Sequence, residues 1–446
     1  MTQIELDKLI TRLFKSKIIA SKSIKSTRKM YEDYLYLDKD LNNSENNMYK
    51  FTFVGVIQSL KNNVIIVYPK YISLKNIDYD YNNNQKKFFQ IMQVITKYKK
   101  RMSQNLIDPT ESEEIINNNL GTMIQIIKTY YSYGLFNSER NSYNNNGNGQ
   151  VLWNKTVNMN TPYIVNNIPI YLDLQAIEKN IDSLNIVRTI QTCILNFISK
   201  KISPVLKILN IPPVFIDEIE SYDKSKIDYY VNILQYALKN EFITKKQELI
   251  IELLIFLKNE SKNLPNDIEV FGTINFELVW EDVCSYTYSN HLNKSLKELK
   301  LYTKKNIDTT VKLKEYIEKP KWLVKNGNEV CQKSTLKLDI LNIEKPNFTI
   351  YDAKYYNLEV SDKQVKNNPG IADVTKQYLY QLAFSELIET NQLKPNNYFI
   401  MPKDELSQDN TLITTVYLDM FDSLNLEPIK VIGRDCEKIF KEYLKY

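Results

Sequence analysis

The chain is poor in the residues on which several kinds of chemistry depend. It holds 9 glycines in 446 residues and no Gly-x-x-x-x-Gly-Lys-Ser/Thr run, so it lacks the loop that cradles nucleotide phosphates with backbone N–H groups. A single histidine, His291, leaves little room for imidazole acid–base catalysis. Cys193, Cys284, Cys331 and Cys436 are scattered with no Cys-x-x-Cys pair. That argues against a structural zinc site or a disulfide framework and fits a reducing compartment. No apolar run is long enough to cross a membrane and the N-terminus has no signal-peptide core, so the expected location is the cytoplasm.

The bulk composition, 43% hydrophobic and 25% charged, is that of a soluble globular protein, and the length suits two or three domains. The net charge is only +5, so any basic surface must come from clustering. The 32 tyrosines, with abundant Asn, Ile and Lys, fit AT-rich coding better than a functional demand.

The most informative stretch is Leu336–Tyr356, two strands around the turn Glu344-Lys345-Pro346-Asn347. Phe348, Ile350, Asp352 and Lys354 share one face of the second strand, because strand side chains alternate. With the turn centred between Lys345 and Pro346, Asp339 on the first strand faces Asp352. Directly opposed carboxylates repel, which a sheet tolerates most readily when a cation sits between them. Oxygen-only ligands select a hard ion such as Mg²⁺. Lys354 projects toward the same phosphate that such an ion would bind. Two acids and a lysine around Mg²⁺ suit phosphodiester hydrolysis. The bare spacing is common and by itself reads as a solvated hairpin face. Here Tyr351, Ala353 and Tyr355 make the opposite face apolar, so the acids are expected on a buried strand, where a charge needs a partner.

Along the chain, three parts are expected: 1–175 as an N-terminal α/β module that binds DNA or a partner, 176–265 as a helical connector, and 266–446 as the domain with the chemistry. Scattered bases from Arg12 to Lys29 precede strands at 51–72 with a turn at Lys61-Asn62-Asn63. Helical spacing at Phe88, Ile91, Ile95 and Tyr98 leaves a basic face with Lys97, Lys100 and Arg101, which suits either solvent or a phosphate backbone. A second helix is expected at 113–131, an Asn/Gly loop at 141–150 and short strands at 151–174. From 177 to 264 the pattern is helical, broken at Pro204 and Pro212-Pro213. Glu277 and Glu281 lie four residues apart on a helix whose buried face is Phe276, Val279 and Val283. His291 is expected at the surface, and Trp280 and Trp322 in the core. Asp373 is a candidate cap for a helix carrying Gln377, Tyr380 and Gln381, followed by strands and a last helix near Cys436. Helix, hairpin, helix, strands describes a mixed sheet flanked by helices, an α/β (mixed α+β) class.

Glu281, Asp339, Asp352-Ala353-Lys354 and Gln377-x-x-Tyr380 together resemble the PD-(D/E)xK nuclease superfamily. A closer resemblance is to LlaJI-type restriction endonucleases and the related McrC family. It rests on Phe276–Glu281, Tyr351-Asp352-Ala353-Lys354-Tyr355 and Pro369–Gln377, and near the other end on Phe53–Val56, Tyr68-Pro69-Lys70-Tyr71 and Trp153–Thr156. It touches most of the chain, weakly from about 180 to 265. Many superfamily members have Pro-Asp where this chain has Leu338-Asp339.

The resemblance implies a restriction-endonuclease-like core and a Mg²⁺-dependent endonuclease subunit of a host-defence restriction system. Asp339, Asp352, the Ala353 carbonyl and Glu281 would hold the metal. Lys354 would offset charge on the scissile phosphate, and Gln377 would support the site. Lys354, Lys376, Tyr380 and Gln381, with Lys97, Lys100 and Arg101, would face double-stranded DNA. Glu277 and Gln381 remain rivals of Glu281 and Gln377. The implied partners are a separate McrB-like AAA+ GTPase, consistent with the missing phosphate loop, and a cognate DNA methyltransferase. Two other readings stand beside it: a non-cleaving adaptor that stimulates the GTPase, and a RecB-like repair nuclease.

Overall fold

In this computed structural model the described residues are 19–22, 48–59, 64–72, 81–105, 119–137, 139–181, 185–217, 221–261, 268–325, 327–406, 408 and 410–445. The bases at 12–17 and 25–29 and the 61–63 turn lie outside them. Two compact units are present, each assembled from separated stretches. One is Met1–Val56, Ile66–Ile115 and Gly272–Tyr446; the other is Ile57–Ile65 and Ile116–Phe271. These bounds cut across the three consecutive parts expected from sequence, because residues 66–115 join the C-terminal stretch.

The first unit is mixed α/β. Its labelled elements are helices α1 (Tyr81–Asn105) and α2 (Phe276–Thr287), a small hairpin β1 (Lys321–Leu323) and β2 (Glu329–Cys331), and strands β3 (Ile340–Glu344) and β4 (Asn347–Ala353). Then come helix α3 (Ile371–Ala383), strands β5 (Lys394–Lys403), β6 (Thr411–Val416) and β7 (Ile429–Asp435), and helix α4 (Cys436–Lys445). Five strands form one sheet in the order β3-β4-β5-β7-β6. The β4–β5 and β5–β7 pairs are parallel and the outer two antiparallel.

The hairpin register is the one expected. Ile340 faces Tyr351, Leu341 faces Ile350, and Ile343 faces Phe348. The strand starts at Ile340, so Leu336–Leu338 approach it as irregular chain and Asp339 sits at its mouth. Leu341, Ile343, Phe348 and Ile350 pack beneath Tyr380, Phe384 and Leu387, and the same cluster takes in Leu296, Leu301, Leu313 and Tyr316. Farther along the sheet, Val374 and Tyr378 of α3 cover Phe399, Met401 and Val431. Helix α3 therefore roofs the sheet face on which Asp352 lies.

Helix α2 buries Phe276, Val279, Trp280, Val283 and Cys284, the stripe that a 3.6-residue period puts on one side. Trp280 donates from its indole to the Ile400 carbonyl (3.3 Å) and meets Phe440 of α4 edge-on (6.4 Å). Helix α1 buries Phe88, Ile91, Ile95 and Tyr98 as its period demands. In the second unit, part of the expected Asn/Gly loop is a strand, Glu139–Asn145, paired with Gln175–Ile181. Trp153–Met159 is a helix rather than a strand. Helices Asn119–Tyr133, Ile186–Lys201, Ile227–Asn240 and Thr244–Ser261 carry the unit's helical part.

Two expectations are corrected. Trp322 is not core: it stands on β1, 64% exposed. His291 is not at the surface; it is buried against the free edge of β3. Its backbone N–H donates to the Leu341 carbonyl (2.7 Å), and its Nδ1 accepts from the Ile343 N–H (3.2 Å). A sheet edge left open invites pairing with another chain, and these bonds close it. Burial, and secondarily Lys294, holds the imidazole below its ordinary pKa. The unfolded chain therefore takes up the proton first, and stability should fall as pH drops below about 6.5. With one histidine in the chain, its single ring resonance in an NMR titration should show a midpoint below that value. A midpoint at or above it would contradict the acceptor role of Nδ1.

Candidate active site

Asp352 ends the row Phe348-Ile350-Asp352 and is 3% exposed. Lys354, two residues on, returns to the same face and its Nζ meets Asp352 Oδ2 at 2.7 Å. The same ammonium meets Asp373 Oδ1 at 2.8 Å. Burial works against the charged ammonium, but Asp352 and Asp373 outweigh it and raise the pKa, so the lysine is a fixed cation. Asp373 is the third residue of α3; its other oxygen accepts from the Gly370 N–H (3.3 Å) at the helix start. It is thus not the capping residue itself, which is Gly370, but it caps from inside the first turn while holding Lys354.

Asp339 reaches across to the end of β4. Its Oδ2 accepts from the Ala353 N–H (3.0 Å), and the Asn290 side chain donates to its backbone carbonyl (2.7 Å). Burial comes first, and then the charges of Asp352 and Glu281 and a hydrogen bond to Asp352 push its carboxyl up to about 8. At neutral pH the Asp339 carboxyl is accordingly held toward its protonated form. Glu281 is half-buried, and burial followed by the Asp352 charge raises its pKa. Glu277 on the same helix is exposed. Of these rivals, Glu281 is the one that feels the pair.

Helix α3 sorts its polar residues by phase. Gln377 is fully buried; its amide donates to the Ile350 carbonyl (3.3 Å), while its Oε1 has no partner. Tyr380 is buried and donates from its hydroxyl to the Lys337 carbonyl. Burial, then the charges of Asp352, Asp339, Asp373 and Glu281, push its phenol up. Lys376 lies 5.5 Å from the Tyr380 ring and contributes to the field on Glu281. Gln381 points elsewhere: its Oε1 accepts from the Asn397 amide (2.7 Å) and the Glu427 N–H (3.1 Å).

Lys97 and Arg101 of α1 are not brought to this cluster. Lys97 donates to the Tyr443 carbonyl (2.6 Å), and Arg101 pairs with Asp282 (2.9 Å) over the Tyr286 ring. The side chain of Lys100 is outside what is described. Sequence reasoning missed the second bond of Asp373, the brace from Asn290, and Lys70, whose ammonium lies over the Tyr355 ring (4.3 Å). The Tyr68–Tyr71 and Tyr351–Tyr355 motifs share this packing, since Phe276 meets both Tyr71 (6.5 Å) and Tyr355 (5.2 Å). Two motifs far apart in sequence that each carry Tyr and Lys were the available signal.

The donors are all hard oxygens. Among the described residues no three His, Cys, Asp or Glu side chains stand together as a finished metal cage. The fit is that of a two-carboxylate site, which suits Mg²⁺, an ion commonly held by one or two carboxylates with its remaining positions left to water and substrate phosphate. Such an ion would displace the proton that Asp339 retains.

The chain belongs to the LlaJI restriction endonuclease family, which it matches over residues 53–434. It is 26% identical over 412 residues to the Type II restriction enzyme BsuMI component YdjA of Bacillus subtilis (strain 168), covering 89% of this chain and 81% of that one. The solved half-complex of Thermococcus gammatolerans McrB AAA+ hexamers with bound McrC aligns over 99% of this chain and 92% of that chain, at 13% identity and a TM-score of 0.37. Similarity of that degree does not establish a shared fold.

The raised Asp339 carboxyl gives the protein a pH signature. Folded Asp339 keeps a proton up to about 8, whereas an unfolded aspartate releases it near 3.8. Stability should therefore fall as pH rises through that window. Asp339→Asn keeps the hydrogen bonds without the charge, so it should raise the melting temperature at pH 8 and leave it little changed at pH 4. Thermal melts in EDTA at both values decide it, and an equal shift at both would remove this account of Asp339.

Proposed function

We propose that this chain is the DNA-cleaving subunit of a restriction system, dependent on Mg²⁺ and working with a separate McrB-like AAA+ GTPase. The observation that carries the reading is the convergence of Asp339 and Asp352 at the end of β4, with the Asp339 carboxylate on the Ala353 N–H and the ammonium of Lys354 on Asp352. The mixed sheet, with Asp339 at the mouth of β3 and Asp352 near the end of β4, supports the PD-(D/E)xK reading. When bound, Mg²⁺ supplies Lewis-acid activation of a phosphoryl oxygen and lowers the pKa of water.

The protein's own groups do the rest. Asp339 and Asp352 hold the position and orient it, with Glu281 adding negative field from α2. Lys354 is pinned by two carboxylates, so its charge is preorganised where negative charge grows on the scissile phosphate. Gln377 aligns β4 through its bond to Ile350, and Tyr380 fixes the approach to Asp339 through Lys337. Asp373 keeps Lys354 from collapsing fully onto Asp352.

Two observations support a partner. The relative in Bacillus subtilis is itself described as a component. In the second unit the hairpin Tyr163–Val165 and Ile168–Ile170 is exposed throughout, with Ile164 at 72% and Ile168 at 63%. Apolar surface of that kind marks a protein contact.

Plasmid cleavage should require Mg²⁺ and the GTPase with GTP, and should fall at least about a hundredfold in Asp352→Ala and Lys354→Ala. If the wild type with its partner never cuts DNA, yet it and both variants raise GTP turnover alike, the adaptor reading replaces this one. Ile164→Asp with Ile168→Asp should weaken partner binding and GTP stimulation about tenfold or more, with an unchanged melting curve. Full stimulation by that variant would place the contact elsewhere.

A further inference from the structure

The segment between α2 and β3 is strongly basic. From Lys294 to Lys337 it has twelve lysines against five acidic residues, a larger excess than the +5 of the whole protein. Apart from half-buried Lys305, every one of these lysines is exposed. Among the described residues only Lys305 and Lys321 are in ion pairs, with Glu318 (3.4 Å) and Glu329 (3.3 Å). Exposed lysines crowded on one segment leave an excess of positive charge that attracts an anionic partner.

The segment is not loose decoration. Leu296, Leu301, Leu313 and Tyr316 are buried in the same cluster as Leu341, Phe348 and Tyr380. Its last residues run directly into Asp339, and Tyr380 fastens the Lys337 carbonyl. The basic surface is thus built on the same core as the carboxylate pair and is continuous with it.

From this base projects the hairpin β1–β2. Its foot is closed by the Gln332 N–H on the Pro320 carbonyl (2.8 Å) and the Thr335 hydroxyl on the Glu318 carbonyl (2.7 Å). Its tip turns at Gly327, where φ is +80°. Trp322 pairs with Val330 across it, and both are exposed, as is Leu323 at 77%. Two strands alone are marginal in water, and an apolar ribbon flanked by Lys319, Lys321, Lys325 and Lys333 gains a second layer only from a partner that is charged outside and apolar within. A nucleic-acid duplex is such a partner: its phosphates take the lysines, and its groove admits a two-stranded ribbon.

We infer that residues 294–337 are the surface that grips the double-stranded DNA leading to the carboxylate pair, with the β1–β2 ribbon in a groove and Trp322 against the bases. The inference rests on the nuclease reading above for its occupant, and the test separates the two.

The experiment is binding of a fluorescent 30-base-pair duplex to full-length protein in EDTA, across a salt series. The variant Lys319→Gln/Lys325→Gln/Lys333→Gln should bind at least tenfold more weakly at 0.1 M salt. Its slope of log affinity against log salt should be shallower by about 2 to 3, at about 0.9 per lost phosphate contact. The matched control Lys200→Gln/Lys239→Gln/Lys258→Gln, exposed lysines of the other unit, should bind as the wild type does. In a Trp153→Phe background, Trp322→Ala should weaken binding several-fold and remove most of the tryptophan quenching that duplex causes, since Trp280, the one tryptophan then left, is fully buried. The inference is overturned if the three-lysine variant keeps wild-type affinity and slope, if polyglutamate displaces the duplex as well as unlabelled duplex does, or if the wild type binds no duplex. DNA binding lost with these lysines while cleavage is never seen would instead sink the nuclease reading and leave this surface standing.

Discussion

The confrontation of Asp339 with Asp352 is the constraint to which the rest of the first unit answers. Two unit charges about 4 Å apart cost roughly 4 kcal/mol at an effective dielectric near 20, against about 1 kcal/mol returned by an ordinary hydrogen bond. Hydrogen bonds such as the one from Ala353 cannot by themselves keep both groups ionised in place. The raised Asp339 carboxyl follows from that conflict, since a proton on it removes one of the two charges. Lys354 offsets part of what remains, held as it is between Asp352 and Asp373.

Holding such a pair requires rigid backing, and helix α3 supplies it through its periodicity. Asp373, Gln377 and Tyr380 occur at intervals of four and three residues, and all three turn toward the hairpin. Val374, Tyr378 and Gln381 occupy the next phase and are spent on β5 and β7. One helix thus serves as roof for the core and as rear wall for the charges. The edge of β3 is tied by Asn290 and His291, which keeps Asp339 from drifting outward.

What was legible in the sequence was whatever depends on local periodicity. The turn at Lys345-Pro346 fixes the register, the register opposes the two aspartates, and alternation returns Lys354 to their face. What was not legible depends on which surface another segment covers. His291 reads as a polar residue after a helix, and only the free edge of β3 explains its burial. Trp322 reads as core by its chemistry, yet it sits on a ribbon with nothing beneath it among the described residues. The basic face of α1 is real as a pattern, but α2 and α4 present Asp282 and Tyr443 to Lys97 and Arg101. The strand at Glu139–Asn145 was hidden because its composition is that of a loop and its pairing with Gln175–Ile181 is non-local. Gln377 could be told from Gln381 only once the phase of α3 against β4 was known.

The double duty of Asp373 has a consequence for how the protein is made. The acids come from a hairpin that closes over 14 residues, while the tie from Lys354 to Asp373 spans 19 and needs α3 to have started. Short loops close at little entropic cost, so during synthesis the acid pair can meet before its lysine is anchored. Until Gly370 and the first turn of α3 are in place, Lys354 has only Asp352 to bind; once they are, it is held between Asp352 and Asp373. The helix that completes the fold is therefore also what gives this lysine its second anchor.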